Sequence, residues 1–498
     1  MPEKEEQVKT EAAQAEAAPA EKSLLEKIIE EGRMIRDESQ KTWAKDVIGE
    51  FVNQIMEKTI VVSKNTEAMI NTRISAIDDL ISKQLNEIMH FPEFQKLEAS
   101  WRGLNYLVQN SETGEKLKIK VLNISKQELL KDIEKASEFD QSALFKMVYE
   151  HEFGMFGGEA YGALIGDYEF SNHPQDMSLL EKISQVAAAA HAPFISAASP
   201  KLFNWDSFTE LGGPRDLAKI FQSVEYAKWK SFRNSEDSRY VALTMPHILM
   251  RLPYGKDNVP VESFDYEEDV EGTDHSKYLW SNAAYALGAR ITDAFAKYHW
   301  TAAIRGVEGG GLVEGLPVHT FKTDEGEVAL KCPTEIAITD RREKEFADLG
   351  FIPLVHCKGT DYAAFFSTQT ANKPKVYDTD SANANARLSS QLQYMLAVSR
   401  FAHYLKSIMR DKIGSFMTRK NAEDFLNRWI SNYVLLDDDA GQELKAKFPL
   451  REARVDVSEV PGKPGVYKAV AFLKPHYQLD ELTISLRLVA ELPPPAKG

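Results

Sequence analysis

The residues whose types and spacing could do chemistry in this chain fall into a few groups, and most of them fail on spacing. Gly306, Gly309, Gly310, Gly311 and Gly315 form a loop of the kind whose backbone N–H groups can cradle phosphate, but no Lys-Ser or Lys-Thr follows to engage the terminal phosphates and magnesium. The loop therefore reads as a flexible turn. His151-Glu152 opens like the helix of a zinc protease, yet Met155 stands where the second histidine is required. Cys332 and Cys357 make no CxxC pair and lie at no zinc spacing from histidine, which fits a reduced cytosolic compartment. There is no GxSxG elbow. No catalytic, cofactor or metal residue is assigned.

Cations form two further groups. Arg215, Lys219, Lys228, Lys230 and Arg233 interleave with Phe221, Tyr226, Trp229 and Phe232, a mixture suited to a nucleic-acid surface or a protein anchor. The simpler reading is a solvated helix with its aromatic rings in the core. His403, Lys406 and Arg410 share one helical face, with Lys412, Arg419 and Lys420 just beyond. A solvated face again accounts for them, although such a concentration in a chain of net charge -15 points to an acidic protein partner.

That net charge argues against a general nucleic-acid binder, which needs a cationic footprint to displace phosphate counterions. With 498 residues, 43% of them hydrophobic, the chain can bury about two to four compact cores. Residues 1–22 lack the apolar stretch of a secretory signal, and nowhere does an apolar run approach the ~20 residues that span a bilayer. The expectation is a soluble, cytoplasmic protein without membrane insertion.

The elements that must position these residues follow from periodicity. Residues 1–22 hold almost no large apolar side chain and read as a disordered arm. Leu24, Leu25, Ile28 and Ile29 open a first helix, Trp43 to Met56 continue the helical spacing, and Ile70, Ile74, Ile77, Ile81, Leu85 and Ile88 line a narrow seam on a third. Pro92 reads as a break before helical Phe94 to Val108. Strands are expected over Leu117–Ile124, Tyr161–Phe170, Phe194–Ala197, Tyr240–Thr244 and Phe351–Val355, and near Val318 and Ile336. Helices are expected over Met177–His191 and Tyr278–Trp300, from Asp340, and over Ala382–Lys412 and about Asn421–Tyr433. The acidic stretch Asp257–Thr273 reads as a solvated loop.

The last fifty residues turn to strands, Leu450–Val460, Gly465–Leu473 and Leu482–Leu492, with Leu482, Ile484, Leu486 and Leu488 on one face. Burying those four side chains is worth roughly 6 to 12 kcal/mol gross. A terminal ribbon needs the body or a neighbouring chain to cover it, so strand exchange between subunits is expected. The fold class is α+β (mixed α/β) and multi-lobed. Its parts are a 1–22 arm, a 23–110 helical partner-binding region, a 111–380 mixed body, a 381–449 helical region and a 450–498 strand arm.

Several strings then follow one another in order: Phe194-Ile-Ser-Ala-Ala-Ser199, Pro214-Arg-Asp-Leu217, Ser235-Glu-Asp-Ser-Arg-Tyr240, Arg251-Leu-Pro-Tyr-Gly255, Cys332-Pro-Thr-Glu-Ile336, Asp340-Arg-Arg-Glu343, Arg400-Phe-Ala-His-Tyr-Leu-Lys406, Arg410-Asp-Lys-Ile-Gly-Ser415, Pro475-His-Tyr-Gln478 and Ser485-Leu-Arg-Leu488. In this order, over roughly residues 70 to 492, the chain resembles the large-subunit family of the type VI secretion contractile sheath (TssC/VipB). The resemblance implies a structural protein, not an enzyme. It implies a heterodimer with a small sheath subunit, stacked with neighbouring protomers on a baseplate around inner-tube hexamers, and contraction that propels the tube. A ring-shaped unfoldase would act on the contracted sheath through the small subunit.

It further implies terminal strands shared between protomers and a basic inner face. Lys406, Arg410, Lys412, Arg419 and Lys420 are the first candidates for that face, and the Arg215–Arg233 group the second. Leu24, Leu25, Ile28 and Ile29 are the candidates for the partner-binding helix. The alternatives are a phage-tail-like or extracellular contractile injection sheath, or a cytosolic enzyme with an unrecognised site.

Overall fold

A computed structural model describes residues 40–56, 66–213, 216–322, 326, 328–463 and 465–479. The arm 1–22, the helix expected at Leu24–Ile29 and the strand expected at Leu482–Leu492 lie outside the described residues. The chain divides into two compact units, Met1–Ser82 and Lys83–Gly498.

The first unit holds α1 (Lys41–Met56) and most of α2 (Thr66–Met89). The seam residues Ile70, Ile74, Ile77 and Ile81 form at helical spacing as expected, and all are exposed.

In the second unit α3 (Pro92–Gln109) starts with Pro92 in its first turn, where the missing N–H has no intrahelical partner to lose. The strand expected over 117–124 does not form: the stretch has no regular structure and joins no ladder among the described residues. Its alternation serves another purpose: Lys118 and Lys120 pair with Glu159 and Glu152, while Ile119 packs beside Leu107 and Tyr285. α4 (Lys126–Lys135) begins with a reciprocal capping box between Ser125 and Glu128.

The centre is a six-stranded sheet. β1 (Leu164–Phe170), β2 (Phe194–Ala198), β3 (Val241–Met245) and β9 (Ile352–His356) run parallel, and β10 (Ala363–Phe365) and β6 (Leu312–Val313) complete it antiparallel. β2 and β3 are buried at every position, as strands covered on both faces must be. On one side α5 (Pro174–Ala190) and α6 (Ala227–Asn234) close a core in which Trp229 stacks on Phe351 with ring centroids 5.5 Å apart. On the other lies α7 (Ala284–Tyr298), rich in alanine. A Cβ at Gly288 would come 2.5 Å from Ile165 Cδ1, so glycine there lets α7 approach β1.

α7 begins later than the expected Tyr278. Trp280–Ser281 forms the short strand β5 against β4 (Ile248–Leu249), and the Asn282 side chain accepts the Ala284 N–H at 2.8 Å. The strand expected near Val318 appears as β7 (Thr320–Lys322), paired in a hairpin with β8 (Val328–Leu330), whereas the one expected near Ile336 does not form. α8 (Asp340–Asp348) starts at the expected residue.

The single long helix expected over Ala382–Lys412 is two, α9 (Asp380–Leu388) and α10 (Leu392–Asp411). Residues 368–370 run alongside the junction, where Thr370 N–H donates to Ser390 O and Leu392 N–H to Thr368 O, replacing helical bonds with a bridge. α11 (Arg419–Ser431) and the hairpin β11 (Leu450–Glu459) and β12 (Tyr467–Pro475) pack around Trp300 and Phe401 in a further core, and the short α12 (Gln442–Lys447) precedes the hairpin.

The glycine loop is a turn, held by hydrogen bonds: Gly306 N–H donates to Phe365 O and Gly311 N–H to Gly306 O, and Gly310 sits at φ +88° where a Cβ would lie 2.3 Å from Ala303 O. The stretch 257–273, expected to be a solvated loop, is not wholly solvated. Glu268 lies buried against Arg251, at 2.6 Å and 3.0 Å from its two terminal nitrogens.

Candidate functional site

The basic stripe of α10 faces the body. His403 is buried, its Nε2 donates to Ala190 O at 2.8 Å, and burial pushes its pKa down to about 4, so the ring is neutral. Lys406 Nζ sits 3.5 Å above the Phe153 ring. Arg410 donates to Met155 O at 2.7 Å and Phe153 O at 2.9 Å, satisfying carbonyls at the end of the π-helical segment Lys146–Gly154. Lys412 lies over Phe425 at 4.9 Å. Arg419 donates to Glu423 at 3.2 Å and to Val457 O at 3.0 Å, and Lys420 is exposed. The turn joining α10 to α11 also carries Ile413 and Phe416, both almost wholly exposed. Helical periodicity could not reveal that tip, because it lies where the period stops.

The second group follows its simpler reading. Tyr226, Trp229 and Phe232 are buried in the core. Arg233 is buried with them, donating to Ala371 O and Asp348 O at 2.9 Å each, and burial pushes its pKa down to about 10. Lys230 donates to Gln222 O at 2.7 Å, Lys219 lies 3.6 Å from Asp216, and Lys228 is exposed. Arg215 lies outside the described residues. The described members form no aromatic platform on which bases could stack.

The ribbon has two unlike edges. Along the outer edge of β11, the Asn427 side chain donates to Val455 O at 2.7 Å and accepts from Val455 N–H at 2.9 Å. Glu423 accepts from Val457 N–H at 3.0 Å, and Arg419 takes Val457 O. Side chains of α11 thus occupy the groups an added strand would need. The outer edge of β12 pairs with no strand among the described residues. Its outward face presents Lys468, Val470, Phe472 and Lys474 in alternation.

Two buried charge clusters escaped motif reasoning. Arg251 also binds Glu98 at 2.8 Å, and His90 meets Glu268 at 3.1 Å, which fastens the acidic loop to α3. His247 bridges Glu335 and Glu169, and His275 reaches Glu335 at 3.0 Å. Burial works against a charged His247, the two carboxylates outweigh it, and its pKa is pushed up to about 10. The signal was present in Arg251-Leu-Pro-Tyr-Gly255 and Cys332-Pro-Thr-Glu-Ile336, but the partners stand far off in sequence. No group of His, Cys, Asp and Glu among the described residues could hold a metal ion.

Family comparison matches the EvpB/VC_A0108 tail sheath N-terminal domain over residues 71–372 and the tail sheath gpW/gp25-like domain of the same family over residues 381–492. The chain belongs to this tail sheath family. The type VI secretion system sheath protein TssC1 of Pseudomonas aeruginosa strain PAO1 is 54% identical over 441 residues, covering 88% of this chain and 89% of that protein. The chain is therefore a large subunit of the type VI sheath, a structural protein and not an enzyme. Among solved structures it is similar to a chain of the anti-feeding prophage baseplate, at 8% identity, 63% and 66% coverage and a TM-score of 0.36. It is also similar to one of that prophage's contracted helical sheath, at 9% identity, 62% and 66% coverage and a TM-score of 0.31. In this sheath subunit both edges of the ribbon, the one capped by α11 and the one unpaired among the described residues, fall within the gpW/gp25-like domain. No helix among the described residues is long and apolar enough to cross a membrane.

Proposed function

We propose that this sheath subunit pairs with a small sheath subunit in the cytoplasm, and that the heterodimers polymerise on a baseplate around inner-tube hexamers and contract to propel the tube. The observation that carries the reading is the ribbon: β11 is closed to pairing by Asn427, Glu423 and Arg419, β12 has no strand on its outer edge among the described residues, and the sequence beyond supplies an arm with Leu482, Ile484, Leu486 and Leu488 on one face. A strand donated by a neighbour satisfies the N–H and C=O groups of that edge.

The exposed seam Ile70, Ile74, Ile77 and Ile81, continued upstream by Leu24, Leu25, Ile28 and Ile29, is the surface for the small subunit. The tip between α10 and α11, with Lys412, Arg419 and Lys420 around Ile413 and Phe416, is the surface for the tube. Lys406 and Arg410 support it from behind rather than touching the tube themselves. An unfoldase acts on the contracted sheath through the small subunit. Deleting residues 482–498 while keeping the small subunit tests the strand reading. Sedimentation of the co-expressed proteins should show loss of polymer with the heterodimer retained; undiminished polymer would refute it.

A further inference from the structure

The polypeptide is fastened to the body between the ribbon and its C-terminal arm. After Pro475, His476 N–H donates to Pro449 O at 3.1 Å. Gln478 N–H donates to the Tyr394 hydroxyl at 3.1 Å, and its side-chain amide donates to Ala302 O at 3.2 Å. Arg305 Nη2 donates to Leu479 O at 3.3 Å. These bonds tie His476, Gln478 and Leu479 to the start of β11, to α10 and to the loop after α7. They border a cavity of about 150 Å³ lined by Tyr298, Ala303, Glu308 and Gly309 among others.

Only Asp480 and Glu481 separate Leu479 from Leu482, where the alternating apolar pattern of the arm begins. Three residue steps reach at most ~11 Å. A sheet edge that receives the arm must therefore come that close to the fastened root, which brings its own ribbon against the surrounding rim.

The rim and the ribbon face are complementary. Beside the root, Val307, Tyr477 and Leu479 are exposed apolar residues, and Glu308 and Glu443 are exposed carboxylates. Lys445 also lines the cavity, with its ammonium donating to Asp438 O at 2.6 Å. The outward face of β12 offers Val470 and Phe472 between Lys468 and Lys474; Arg454 lies over Phe472 at 5.0 Å and Glu452 lies 3.9 Å from Lys474. We propose that segment 476–479 is a clamp that sets the departure point of the arm, and that the rim around it seats the β12 face of a second copy of this chain. Glu308 and Glu443 then meet Lys468 and Lys474, and Val307 and Tyr477 cover Val470 and Phe472. Because the two patches differ, the contact is heterologous and adds copies head to tail, into a ring or an open helix, rather than closing a two-fold dimer. The inference rests on the strand-exchange reading and adds the surface on which exchange occurs.

The test uses the full chain co-expressed with the small subunit. The pair Glu308→Lys and Glu443→Lys should reduce sedimentable polymer at least tenfold with the denaturation midpoint of the heterodimer unchanged, and adding Lys468→Glu and Lys474→Glu should restore it. A photo-crosslinking benzoylphenylalanine at position 308, in a mixture of isotopically labelled and unlabelled chains, should crosslink to residues 468–474 of the other copy. Polymer unaffected by the reversals, or crosslinks confined to the same copy or to other segments, overturns the docking surface. Deletion of 482–498 separates the two claims: if it stops assembly while the charge swaps do nothing, strand exchange stands and the rim is wrong. If the deletion has no effect, strand exchange itself fails, and the docking surface with it.

Discussion

Asn427 grips Val455 at both of its backbone groups, donating to the carbonyl at 2.7 Å and accepting from the N–H at 2.9 Å. The relationship imitates a paired strand and closes that edge of the ribbon. Asn427→Ala leaves both groups unpaired beside a helix, at a cost of about 1 to 3 kcal/mol, and opens a second edge to pairing. Chemical denaturation should show the loss, and sedimentation at rising protein concentration should show irregular aggregation that the wild type lacks. A variant of unchanged stability and solubility would contradict the capping account.

Arg251 and Glu268 form a buried pair whose separation strands a charge. Glu268→Gln should destabilise the second unit by about 3 kcal/mol, because Arg251 keeps only Glu98 as a carboxylate partner. Proteolysis should then cut first in the 257–273 stretch, which the pair fastens to α3.

The His247 cluster predicts a pH dependence. Its folded pKa of about 10 stands above the ordinary 6.5, so its contribution is fully present below pH 6.5 and is lost as pH rises through 10. Glu169 and Glu335 face it directly, and His275 shares Glu335. The stability difference between wild type and His247→Gln should therefore shrink from about pH 6.5 upward. Urea titrations at several pH values check it, and a constant difference would contradict it.

Lys406 and Lys420 should behave oppositely. Lys406→Met removes a cation held over Phe153 and should cost about 1 kcal/mol of stability while changing tube docking only indirectly. Lys420→Glu should change stability by less than about 0.5 kcal/mol and weaken tube docking in a salt-sensitive way. Equal effects of both on docking at equal stability would contradict the separate roles proposed for Lys406 in α10 and Lys420 in α11.

Much of this was legible in the sequence, for physical reasons. The buried strands β2 and β3 and the start of α8 fall within a residue or so of their expected bounds, since continuous apolar runs and a polar helix start are local signals. The Leu117–Ile124 alternation misled because period two reports which side chains face the body and says nothing of a partner strand. Ala382–Lys412 misled because the break at Ser389–Gln391 is imposed by residues 368–370 alongside it. The stripe at His403, Lys406 and Arg410 was correctly placed on one face. Whether that face met solvent or the segment 146–155 depended on contacts more than 240 residues apart in the chain.

The measurement that tests the central claim most directly is negative-stain electron microscopy of the chain expressed alone and with the candidate small subunit from the same operon. Hollow, cogwheel-like tubules on co-expression, absent from the chain alone, are the result predicted. Monodisperse soluble particles in both samples would contradict it.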